Sequence, residues 1–227
     1  MLLRSFSIAV VLTALAAFAA SAQDARLSAR LDTRTAAAVM RVVDSARAQA
    51  LPTEPLVQKA LQGAAKRAPS ERVLGAVQEL LGELATARSL LGPRSTEAEL
   101  VAGASALHAG VPGETMALVR TLRGDQSVTV ALATLADLVA RGVPVQAAVN
   151  AVLALMRQGV PDVDLLAFSN QVGRDIAAGA PPAVAARVRS GAPGAAGARP
   201  VTVPGRPEAA PRGGTRRPAG QVPPGRP

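Results

Sequence analysis

His108 is the only histidine in the chain, and no cysteine accompanies it. Zinc sites draw on imidazole, thiolate and carboxylate ligands, so a metal here would need carboxylates to complete its shell. Ser105 precedes His108 by three residues, and a helix would turn both side chains to one face. A hydroxyl nucleophile and its base need that proximity, but no acid partner or oxyanion motif stands beside them. His108 also falls where a helix should end. There the helix dipole favours a cation and the imidazole can bond a terminal carbonyl, so the structural role outweighs the catalytic one.

The carboxylates are similarly ambiguous. Glu79 and Glu83 lie four residues apart, a spacing that pairs them on one helix face. Paired carboxylates can perform acid–base chemistry, but a solvated pair explains the same pattern. Asp162 and Asp164 fall at a helix start, where capping and first-turn charge account for both, and no calcium-loop spacing surrounds them. Arg123-Gly124-Asp125 matches an adhesion tripeptide and equally describes a turn before a capping Ser127. Gly63-Ala64-Ala65-Lys66-Arg67 lacks the spacing of a phosphate loop and follows no strand. Lys59, Lys66, Arg67 and Arg72 form a basic cluster, offset by Glu54 and Glu71. These residues assign no catalytic, cofactor-binding or metal site.

The elements that must position these side chains are helices. The chain has no Trp and no Tyr and only three Phe, so a large sheet is disfavoured and a core must rest on Leu, Val and Ala. Each buried methylene contributes about 0.8 kcal/mol, which makes close helix packing the workable solution. The apolar positions recur at helical spacing. Val39, Val42, Val43 and Ala46 share one side of a first helix. Thr53 caps a second, with Glu54 and Pro55 in its first turn. Ser70 caps a third, residues 71–91, whose stripe includes Val73, Val77, Leu80, Leu81 and Leu84. Ser95 or Thr96 caps a fourth.

Gly110-Val111-Pro112 then opens a recurring punctuation, repeated at Gly142-Val143-Pro144 and Gly159-Val160-Pro161. Gly179-Ala180-Pro181 and Leu51-Pro52 are degenerate forms. Glycine takes the left-handed conformation past a helix end, and proline bars the old helix while suiting the next. These marks delimit helices near 113–123, 128–141, 145–158 and 162–179, with one or two turns at 183–189. The expected fold is all-α: about seven helices in an irregular bundle or a short solenoid-like array.

The ends differ from this domain. Residues 1–22 read as a signal peptide: Arg4, an apolar stretch from Ile8 to Ala20, and the small-x-small pattern Ala20-Ser21-Ala22. The stretch is shorter than the roughly 20 apolar residues of a membrane anchor, and the absence of cysteine excludes a lipoprotein. The helical domain is expected over 23–189, with residues 24–34 a frayed lead-in. Residues 190–227 hold nine Pro, eight Gly and six Arg against the single Glu208. Such a stretch cannot repay the entropy of ordering, so it reads as a disordered tail. Its net +5 supplies most of the chain's +9.

One stretch carries a resemblance. Leu51-Pro52-Thr53-Glu54-Pro55-Leu56, Lys59 to Ala64, and Pro69-Ser70-Glu71-Arg72-Val73 resemble small secreted bacterial all-helical proteins that are uncharacterised. The resemblance implies an exported helical protein and transfers no catalytic residue. It singles out Glu54, Lys59 and Arg72.

These readings favour a non-enzymatic interaction or scaffold protein, located in the periplasm or secreted, with no cofactor. Its partner would be an envelope protein or an anionic envelope polymer. Specific nucleic-acid binding is disfavoured, because the domain lacks aromatic stacking platforms. The tail's arginines would bind polyanions in a salt-dependent way. A carboxylate- or serine-based hydrolase is the remaining alternative.

Overall fold

The computed structural model describes residues 25–191. The signal-like residues 1–22 and the tail beyond Gly191 lie outside the described residues. Nine helices follow one another among the described residues: α1 Thr33–Ala48, α2 Glu54–Ala65, α3 Ser70–Leu91, α4 Glu97–His108, α5 Gly113–Arg123, α6 Thr129–Ala140, α7 Val145–Arg157, α8 Asp162–Ala177 and α9 Pro182–Ser190. The described residues contain no strand, so the all-α expectation holds. The count exceeds the expected seven. Helices of 9–13 residues are marginal alone, and here each is held by packing against its neighbours.

The contacts run in two rows. α1, α3, α5, α7 and α9 touch in succession, and α4, α6 and α8 form a second row packed on the first. α2 packs on α1 and α3. The core is continuous and lies between the rows. Val39, Val43, Leu56, Val57, Val77, Leu84, Leu100, Leu132, Leu135, Leu138 and Leu165 are fully or almost fully buried. The stripe expected on α1 is buried as predicted: Val39, Val42, Val43 and Ala46. No helix among the described residues is long and apolar enough to cross a membrane.

One turn geometry recurs at six junctions. Ala50, Arg67, Gly110, Gly142, Gly159 and Gly179 all have positive φ, between 53° and 97°. The N–H of the next residue reaches back five positions: Leu51 to Ala46 O at 2.9 Å, Ala68 to Gly63 O at 3.0 Å, Val111 to Ala106 O at 2.9 Å, Val143 to Leu138 O at 3.0 Å, Val160 to Leu155 O at 3.2 Å and Ala180 to Asp175 O at 2.9 Å. This bond satisfies a carbonyl that the helix end leaves open. The same apolar residues pack against the core, Leu51, Val111 and Val143 being buried outright. A proline follows every time, standing at the N-cap of α3, α5, α7, α8 and α9.

Two of these six positions lack glycine. A left-handed Ala or Arg costs about 1 kcal/mol relative to Gly. Ala50→Gly and Arg67→Gly should each raise unfolding free energy by up to ~1 kcal/mol, less the greater freedom glycine gives the unfolded chain. Gly142→Ala should lower it by a similar amount. Chemical denaturation of the three variants measures this; a loss in both glycine variants would contradict the strain argument.

Several caps differ from expectation. Ser70 is the first helical residue of α3, not its cap, and its hydroxyl donates to Asp32 Oδ2 at 3.2 Å. Thr53 stands at the N-cap of α2 without a side-chain capping bond. Ser127 lies one residue before the Val128 cap of α6, and its Oγ accepts from the Thr129 N–H. Thr96 does cap α4, in a reciprocal box with Glu99. Asp162 is already helical, with Pro161 at the cap, and it pairs with Arg123 at 2.6 Å. That pair draws Arg123 inward, and Gly124 makes the expected turn with φ 56°.

Both ends of the domain are better ordered than the sequence suggests. Residues 25–28 form a helical turn whose Leu27 is completely buried. Arg26 donates to both Glu54 oxygens, at 2.9 and 3.0 Å. The lead-in is thus anchored by one apolar side chain that polar neighbours hid. Ser190 belongs to α9 and is buried, its hydroxyl donating to Arg187 O at 3.1 Å. α9 therefore runs one residue past 189, and Gly191 stands at its C-cap in the left-handed conformation.

Candidate functional site

The exposed face of α4 is the starting point. Ala98, Val101, Ser105 and His108 recur at helical spacing along it. Val101, Ser105 and His108 face an open groove of about 970 Å³ whose far wall is α2, with Pro55, Gln58, Lys59 and Gln62, and Ala98 lines its continuation. Leu80, Glu83 and Leu84 of α3 form its floor. Across α4 the depression continues to α6, bounded by Thr129, Ala133 and Ala136. The groove exists because α4 packs closely on α6 and α3, while α2 packs on α3.

Gly103 permits that approach. A Cβ there would stand 2.9 Å from Met116 Cε and 3.0 Å from Ala87 Cβ. Ordinary van der Waals contact needs more space, so a larger residue would push α4 off α3. The approach also unites residues that sequence reading kept apart. His108 Nδ1 lies 2.8 Å from Glu83 Oε1. Glu79, Glu83 and His108 each present a ligand atom within 4.8 Å of the others. Glu83 is mostly shielded, with 16% of its side chain exposed, and His108 is 54% exposed.

Ser105 does not join that cluster through its hydroxyl. Its Oγ donates to Val101 O at 2.9 Å, one turn back on α4. Of the three residues singled out by resemblance, Glu54 binds Arg26 and Gln58, Lys59 lines the groove, and Arg72 is exposed at the start of α3. Lys66 and Arg67 lie at the far end of α2 and are exposed.

Two further carboxylates escaped sequence reading. Glu99 is 4% exposed. It accepts from the Thr96 N–H at 2.9 Å and the Val128 N–H at 3.1 Å, and pairs with Arg120 at 2.9 Å. Burial alone would raise its pKa, but the two N–H groups and the guanidinium together hold it below the usual carboxylate range. Glu99 thereby ties the starts of α4 and α6 to α5. Asp137 does the same for α6 and α8, accepting from Arg141 Nε at 2.8 Å and from the Ser169 hydroxyl. Burial again opposes, and Arg141 and Ser169 prevail, so its carboxyl is also held low. The capping box was the only sequence signal for Glu99; nothing along the chain marks Ser169 as a partner for Asp137.

Comparison with protein-family models, with curated proteins and with solved structures finds no match to this chain. Its functional reading therefore rests on the groove and on the residues around it.

Proposed function

We propose that the protein is a non-enzymatic scaffold, exported to the periplasm or beyond the cell, that holds a helical segment of an envelope protein along α4. The open groove beside α4 carries this reading. Its surface is mainly apolar, and Ala98, Ala133 and Ala136 keep side chains short where a partner's backbone would approach. Amphipathic helices dock into such grooves through residues at i, i+3, i+4 and i+7. Export is supported by the signal-like pattern of residues 1–22. Ser105, held by Val101 O, favours a binding role over a serine-based hydrolase.

A second reading is favoured by charge. Six arginines against one glutamate in residues 190–227 suit an anionic envelope polymer.

The test uses the full chain expressed in its own type of host, with photo-crosslinking at Gln62 and recovery of the partner. Val101→Arg and Ala136→Arg should each reduce recovery at least ~10-fold, as loss of a central interface contact does. Both positions retain solvent access, so the fold should tolerate them. Unchanged recovery would sink the groove reading. A cytoplasmic product whose mass still includes residues 1–22 would sink export. Binding that collapses with added salt and with removal of residues 190–227 would favour the polymer.

A further inference from the structure

We infer that Glu79, Glu83 and His108 form a binding site for a divalent transition-metal ion of the zinc type, open toward the groove. The three residues come from two packed helices. Glu79 and Glu83 are one turn apart on α3, and His108 is the last residue of α4. Each offers one ligand atom, and the three atoms lie within 4.8 Å of one another. Zinc bonds of about 2.0–2.2 Å to nitrogen and oxygen place ligand atoms roughly 3–3.5 Å apart, so modest side-chain rotations close the set. Imidazole with two carboxylates suits zinc, cobalt or nickel better than calcium, which takes six or more oxygen ligands.

The charge balance supports the same conclusion. Glu54, Glu99, Asp137, Asp162 and Asp175 each pair with an arginine. Among the described residues Glu79 and Glu83 pair with no Lys or Arg, and Glu83 has only the imidazole, although it is largely shielded from water. A dication would satisfy both carboxylates, and the imidazole would move from bonding Glu83 to ligating the ion. Three protein ligands leave at least one coordination position for water or a groove ligand, the arrangement of zinc sites that exchange ligands. Glu83 and His108 both line the groove, which gives that position its access.

The sequence hid the site because His108 is 25 residues from Glu83, and the carboxylate pair alone is an ordinary solvated motif. The inference is independent of what docks beside α4, and its test does not use the partner. Untagged full-length protein is titrated with Co²⁺, following visible absorption, and then with Zn²⁺ in competition. One saturable equivalent is expected, with absorption bands that zinc abolishes. His108→Ala, Glu83→Gln and Glu79→Gln should each weaken the Co²⁺ affinity at least ~10-fold, since changes even to a metal site's outer shell cost 10–100-fold. Glu71→Gln, on the same helix outside the cluster, should leave it unchanged. Glu71, Glu79 and His108 are exposed and Glu83→Gln keeps the side chain's shape, and circular dichroism verifies that the helices persist. No saturable Co²⁺ binding, or binding that the three ligand variants leave intact, would overturn the assignment.

Discussion

Glu99→Ala should destabilise the protein by about 3–5 kcal/mol, as expected when one partner of a buried, hydrogen-bonded ion pair is removed. The substitution acts at three places together. Thr96 loses half of its reciprocal capping box at the start of α4. The Val128 N–H, on a completely buried residue, loses its acceptor. Arg120 keeps its charge and loses its counter-ion. For a domain of this size each kcal/mol shifts the melting temperature by roughly 2–4 °C, so the variant should melt about 10 °C lower. Glu99→Gln retains an acceptor oxygen for one N–H and should lose less. Denaturant titration with calorimetry measures both. A loss under ~1 kcal/mol for Glu99→Ala would mean that water replaces the carboxylate at little cost.

The same carboxylate sets an acid limit. The folded-state pKa values of Glu99 and Asp137 lie below their ordinary values, as do those of the exposed Asp32 and the half-buried Asp175. At Asp32 the Thr35 hydroxyl and N–H cause the depression, and at Asp175 the Arg189 guanidinium does. For a depressed carboxylate, the unfolded chain binds protons first as pH falls. Its contribution to stability is therefore complete above the unfolded pKa near 4 and is lost as pH drops through the lower folded value. Thermal stability should be flat with respect to these groups from pH 7 to about 5 and fall steeply below about 4. Glu99→Gln should flatten that fall. A wild-type melting temperature unchanged at pH 3 would contradict it.

Leu135→Ala should cost about 3–4 kcal/mol, within the range measured for fully buried leucines. α6 contacts α4, α5, α7 and α8, and Leu135 is completely buried within that junction. Truncation removes three carbons, Cγ and the two Cδ methyls, and leaves a cavity, which costs more where neighbours cannot relax. Each helix around α6 is bounded at one end or both by the recurring turn, so little collapse is expected. Leu166→Ala provides the comparison, because Leu166 on α8 is 49% exposed and should cost well under 1 kcal/mol. Equal losses at the two positions would show that the rows do not share the core described above.

Much of the fold was legible along the chain. The helix class follows from a composition without Trp or Tyr and from apolar spacing of three and four. The junctions at Gly110, Gly142, Gly159 and Gly179 were readable because left-handed glycine followed by proline is a local signal. Ala50 and Arg67 adopt the same conformation without that signal, since strain at a non-glycine residue is imposed by the packing of Leu51 and Ala68. Leu27 was missed for a related reason: one buried leucine among polar residues has no periodicity to reveal it.

The candidate site divides along the same line. Residue type and spacing determined that Glu79 and Glu83 share a helix face, that Ser105 and His108 share another, and that Ser95 or Thr96 caps α4. Those relations span one turn or less, so backbone geometry alone enforces them. Only tertiary structure decided which helices lie side by side. The tight contact at Gly103 sets α4 against α3 and brings His108 to Glu83, 25 residues away. The separation of α2 from α4 opens the groove, and Val128 and Arg120 turn Glu99 from a cap into a three-helix tie. Local propensity carries no information about such distances, because they depend on the shapes of facing surfaces that the chain brings together only when it folds.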